Sequence, residues 1–188
     1  MKEKIKICII GRYTTKSQTL NGQTIKTQNL VKLFNNEFEN ISTLCLDTEL
    51  IFHSPLFFFY RLIVYFIKSD IIIMLPAQNG LRILAPIIVF VNIFFNKRIG
   101  YCVIGAWLPQ IIKNSRLIKL LLSKFSFIWV ETTILKNTLE VEYGYENVHI
   151  VPNFKYYSEK SQVDINKKRV KKFCTFSRVE KNKGISDL

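Results

Sequence analysis

Six short apolar runs, each separated from the next by a segment of helical spacing, constrain this chain more than any other feature. Lys4 to Ile10 is rich in Ile and closed by Gly11. Ile41 to Leu46 alternates around β-branched residues and ends at Asp47, and Asp70 to Leu75 is stopped by Pro76. Arg98 to Ile104, Phe125 to Val130 and Val148 to Val151 follow, the last ended by Pro152-Asn153. Between them, Gly22–Phe34, Pro55–Ile67, Leu81–Phe95, Gln110–Lys124 and a segment capped by Thr132 and running through Glu142 carry helical patterns. Pro55 lies near a first turn, where the missing N–H costs little, Pro86 should kink its helix or mark its true start, and Gly144 terminates the last one. Strands that are apolar almost without interruption are buried on both faces, which implies a parallel sheet with helices on either side. Right-handed crossovers make this a doubly wound, Rossmann-like α/β domain.

The 188 residues suit one domain plus a remnant, since domains commonly run to about 100–150 residues. Residues 1–154 form the Rossmann-like domain, 155–171 a basic linker, and 172–188 the opening strand and loop of a second, truncated domain. The four cysteines (Cys8, Cys45, Cys102, Cys174) have neither CxxC nor metal-ligand spacing, and three lie inside apolar runs. They read as reduced buried thiols, which places the chain in a cytoplasmic compartment. The apolar run behind the basic N-terminus is about six residues long, too short for a signal peptide. The uncharged stretch Ile83 to Asn96 covers about 14 residues, whereas a spanning helix takes about 20.

The formal net charge is +13, of which residues 155–188 carry +6 through ten Lys/Arg against four Asp/Glu. Such a surface suits nucleic acid, anionic lipid or an anionic small molecule. No helix-turn-helix, RRM or zinc-finger pattern supports nucleic acid. The apolar helix at 55–67 and the run at 83–95 favour peripheral binding to an anionic membrane surface, at the inner face of the cell membrane.

Ligands of open α/β sheets bind at the carboxyl ends of the strands, so those loops hold the candidate residues. GxGxxG is absent after the first strand and no GxxxxGK[ST] loop exists, which excludes a P-loop NTPase and argues against an NAD enzyme. Asp47 then reads as a strand-end cap. Gly22-Gln23-Thr24 opens a helix late in the first loop, where a small residue lets a ligand approach backbone N–H groups or simply starts the helix. Trp107, in Gly105-Ala-Trp-Leu-Pro109, has the flat face to stack on a sugar, or is a core-edge aromatic. Glu131 faces the crevice or serves as an acid at a helix N-terminus. His53 and His149 have no ligand-spaced partner and read as structural; no metal site or nucleophilic triad can be assembled, and the catalytic residues stay unassigned.

Beyond the linker, Phe173 to Phe176 reads as a strand, Ser177 to Gly184 as a basic turn, and Ile185 to Leu188 as a helix start. Arg178 and Lys183 at the mouth of a helix combine charge with free N–H donors, an anion site. The segment resembles the Gly-Arg…Lys-Gly block of retaining family 4 glycosyltransferases, which have the GT-B fold, with Ser177 in place of the usual glycine. Pro152-Asn153 resembles that family's crossover between domains, and Asn21-Gly22 its loop after the first strand. The resemblance implies the N-terminal half of a GT-B fold and the start of the other half. It implies transfer of a hexose-type sugar from a nucleotide diphosphate sugar to a lipid-linked or saccharide acceptor in cell-envelope or polysaccharide synthesis, with no metal or other cofactor. Arg178 and Lys183 then hold the donor diphosphate, Gly22, Gln23 and Thr24 form the acceptor and phosphate loop, and Trp107 stacks on sugar. The family's histidine in the loop holding Trp107 is absent, and its paired glutamates late in the second domain have no counterpart in the chain. An inactive truncated product, or a non-catalytic α/β module at a membrane surface, is therefore the alternative.

Overall fold

The computed structural model describes residues 4–13 and 22–155. Its strands are β1 (Ile5–Gly11), β2 (Ile41–Asp47), β3 (Ile71–Met74), β4 (Arg98–Cys102), β5 (Phe127–Val130) and β6 (Val148–Ile150). They form one sheet in the order β2-β1-β3-β4-β5-β6, and every neighbouring pair is parallel. The helices are α1 (Gly22–Glu37), α2 (Leu50–His53), α3 (Pro55–Lys68), α4 (Gln78–Phe95), α5 (Leu108–Asn114), α6 (Arg116–Leu122) and α7 (Thr133–Val141). This is the α/β architecture with an all-parallel sheet that the apolar runs predict.

Strand periodicity divides the core in two. Ile7 and Ile9, Ile73, Cys102 and Phe127 point to one face, where Leu30 and Val31 of α1 cover them. Cys8 and Ile10, Ile72 and Met74, Ile99 and Tyr101, Ile128 and Val130 point to the other. There they meet Phe58, Leu62 and Phe66 of α3, the inner stripe of α4 (Leu81, Leu84, Ala85, Ile88, Val91), and residues of α5, α6 and α7. Because both faces are covered, the inner strands β3 and β5 are apolar without interruption, while the edge strands β2 and β6 keep polar and exposed positions.

Three local departures from the sequence reading have clear causes. The helix expected over 110–124 is broken at Ser115, whose extended backbone ends α5 and whose Oγ accepts from Ile118 N at 3.3 Å to cap α6. Helix α4 starts at Gln78 and runs unbroken through Pro86, which lies on its half-buried flank. Helix α2 is a single turn between β2 and α3, too short to give a periodic signal. At the far end of α4, Asn96 takes the left-handed conformation (φ 47°) and closes the helix through its N–H to Asn92 O.

Candidate functional site

Strand order fixes where a ligand can sit. From β1 the chain leaves toward β2 on one side and returns to β3 on the other, so β1 and β3 flank a topological switch point. Outside their carboxyl ends lies a cleft of about 490 Å³, lined by Arg12, Gln23, Thr48, Glu49, Phe52, His53, the segment Pro76–Gly80, Ile83 and Leu84. These residues come from the loop after β1, the start of α1, the loop and short helix after β2, and the loop after β3 with the first turn of α4.

The walls of the cleft are tied together by hydrogen bonds. Arg12 donates from Nε and Nη2 to Oε1 of Glu49, the Nε contact at 2.8 Å, with both side chains partly buried. Asp47 accepts from Glu49 N at 2.9 Å, so it caps the turn after β2 as its position suggested. Gln23 donates from Nε2 to Leu75 O at 2.8 Å and joins the start of α1 to the end of β3. Thr27, fully buried, donates to Gln23 O at 2.9 Å. The result is a neutralised cation beside several amides and a hydroxyl, groups that can hydrogen-bond a hydroxyl-rich ligand.

The residues singled out from sequence fall in different places. Gln23 is in the cleft wall. Gly22 is exposed, and no atom of the described residues lies within 4 Å of where its Cβ would be. Thr24 is buried at 1% exposure and faces the interior. Trp107 does not line this cleft; it precedes α5, half-buried against the larger core cluster. Its ring edge lies over Gly105, where a Cβ would meet the indole at 3.2 Å and where φ is +84°. Arg178 and Lys183 lie outside the described residues.

A second polar cluster spans the carboxyl ends of β4 and β5. Lys26, at 5% exposure, places Nζ 2.6 Å from Glu131 Oε1 and 3.0 Å from Val103 O. Glu131 therefore faces inward to a buried lysine. Burial pushes the neighbouring Cys102 thiol up to about 11, and Lys26 only partly offsets this. Cys45 is pushed up to about 12 by burial and by Asp47, and Cys8 is raised by burial. These thiols are protonated at neutral pH and are not nucleophiles.

Sequence reasoning did not bring Arg12, Glu49 and His53 together as neighbours in one cleft, and it read Gly11 as the close of the first strand without its contact to α1. Gly11, the last residue of β1, is pressed against α1: a Cβ there would lie 2.7 Å from Thr27 Oγ1. An Arg following a strand that ends in Gly was the available signal. Among the described residues no group of three His, Cys, Asp or Glu could hold a metal ion. No family model, no curated protein and no solved structure matches the chain.

Proposed function

We propose that this chain is the acceptor-side domain of a retaining, nucleotide-sugar-dependent glycosyltransferase of the family 4 type, acting on a cell-envelope or polysaccharide acceptor. The observation that carries the reading is the order of elements along the chain: a six-strand parallel α/β sheet, Pro152-Asn153 directly after it, and then Arg178 and Lys183-Gly184. The cleft at the β1/β3 switch point supports it, because the acceptor of such an enzyme is a hydroxyl-bearing molecule and the polar part of this lining offers the amides of Gln23, Gln78 and Asn79 and the hydroxyl of Thr48. In this reading the acceptor lies near Gly22, Gln23 and the first turn of α4. Phe52 takes the aromatic role that the sequence suggested for Trp107. Arg178 and Lys183 neutralise the departing diphosphate, an electrostatic contribution to the transition state.

The test uses pyrophosphate and uridine diphosphate as probes, followed by ³¹P line broadening on titration with the full chain. Two charge-assisted contacts of about 1.5–3 kcal/mol each, reduced by ordering costs, give weak binding that the Arg178→Ala/Lys183→Ala double variant abolishes. Unchanged broadening in the double variant, or none with the native chain, refutes the assignment.

A further inference from the structure

We propose that the outer face of α3 and α4 docks on an anionic lipid bilayer, lying in the interface rather than crossing it. The two helices pack side by side on the larger core cluster, and the Phe66 and Phe95 rings, 5.8 Å apart, close the seam between them. Their inner stripes are buried, yet their outer stripes are also apolar. On α3, Leu56, Tyr60, Ile63 and Ile67 recur at helical spacing, with Leu56 86% exposed. On α4, Phe90 and Phe94 form an edge-to-face pair at 62% and 72% exposure, with Ile93 beside them. Water-facing surfaces rarely leave large apolar side chains in two adjacent stripes unless something covers them.

Charge identifies what covers them. Between Glu49 and Glu131 the only acidic residue is Asp70, against nine Lys and Arg. Asp70 stands at the start of β3, where it accepts from Lys6 N at 2.8 Å. Neither α3 nor α4 contains an acid. Arg61 lies over the Phe57 ring at 4.5 Å, Lys68 ends α3, Arg82 is exposed in the second turn of α4, and Lys97 follows its end. An apolar face ringed by cations matches anionic headgroups around acyl chains. A second copy of the same face would oppose cations with cations and supply no acid.

Helix α4 is long and apolar enough to cross a membrane. Its inner residues Leu81, Leu84, Ala85, Ile88 and Val91 are nevertheless packed in the core, and it is the crossover between parallel β3 and β4. Spanning would dismantle the sheet. The face must lie flat, with its aromatic side chains at the headgroup level. This inference stands whether or not the chain takes part in sugar transfer.

Flotation of the full chain with vesicles of equimolar phosphatidylcholine and phosphatidylglycerol tests it, with pure phosphatidylcholine as the neutral control. The native chain binds the anionic vesicles, and binding falls as salt rises. Phe90→Ser/Phe94→Ser, which alters only exposed positions, loses at least about tenfold in binding, equivalent to about 1.4 kcal/mol. A Phe90→Trp variant provides a readout independent of folding in the serine variant: brominated lipids quench the emission of the added indole. Equal binding to neutral and anionic vesicles, equal binding by the serine variant, or an added indole that stays unquenched overturns the proposal. So does a native dimer that the serine variant converts to monomer, because the face would then belong to a second copy.

Discussion

Replacing Gly11 with Ala tests whether the close approach of β1 to α1 is a real constraint on the cleft. The new Cβ would lie 2.7 Å from Thr27 Oγ1, 3.1 Å from Thr27 Cγ2 and 3.5 Å from Leu75 Cβ. Swapping the two Thr27 branches gives no relief, because both positions are too close. Turning the hydroxyl away breaks its 2.9 Å bond to Gln23 O, a loss of about 0.5–1.5 kcal/mol. Shifting α1 outward instead loosens Leu30 and Val31 from Ile7 and Ile9 and strains the bond from Gln23 to Leu75. Overpacking of this kind costs about 1–3 kcal/mol. Gly11 has no positive φ, so in the absence of the clash the same substitution would stabilise by about 0.4–1 kcal/mol through the unfolded chain. Urea unfolding of Gly11→Ala should therefore show a lower midpoint with an unchanged slope. The melting temperature should fall by about 2–4 °C for each kcal/mol in a chain of this size. In a Thr27→Ala background the penalty should vanish or reverse sign. A neutral Gly11→Ala, or one equally costly in both backgrounds, would refute the steric reasoning.

Other expectations follow from the same geometry. Lys26→Met leaves Glu131 with less compensation and Glu131→Gln leaves a buried ammonium beside Val103 O, so each should destabilise by about 3–5 kcal/mol, while the double variant costs less than the sum in a thermal-unfolding cycle. Additive losses would mean the pair is not coupled. Cys102 ionises near 9.0 when unfolded and at about 11 when folded, so its contribution is intact below pH 9 and falls as pH rises to about 11. Cys102→Ala should flatten that part of a stability–pH profile; an identical slope would refute the assignment. Fused to the donor-binding half of a family 4 glycosyltransferase, the chain should transfer labelled sugar. Arg178→Ala or Lys183→Ala should slow this by orders of magnitude, and an unaltered rate would move the donor site elsewhere.

The fold was legible because burial on both faces leaves its mark on each strand separately: Ile7 to Ile10 or Ile71 to Met74 can be recognised with no knowledge of neighbours. The break at Ser115 was not, since Gln110 to Lys124 keeps one apolar period across two short helices. The cleft was legible only in part, for a physical reason. The rule that ligands sit at carboxyl ends selects Gly11 to Thr24, Asp47 and Pro76 to Gly80 among the loops, but it does not say which of them face each other. That depends on strand order, and β2-β1-β3 is a pairing between residues far apart in the chain that no local period encodes. Arg12 and Glu49 are 37 positions apart, and Lys26 and Glu131 are 105 apart. Asp47 could be read as a cap because its partner, Glu49 N, is two residues away. Trp107 and Gly22 illustrate the opposite case, since their residue types suit a sugar site while only packing decides what they touch. The helix periods of α3 and α4 reveal the inward stripe, but not that the outward stripe stays uncovered once the sheet is assembled. That uncovered stripe and the switch-point cleft share Ile83, near the start of α4. A bilayer against the helix face would therefore lie next to the cleft, and a ligand with an acyl chain and a polar head could reach both without leaving the membrane.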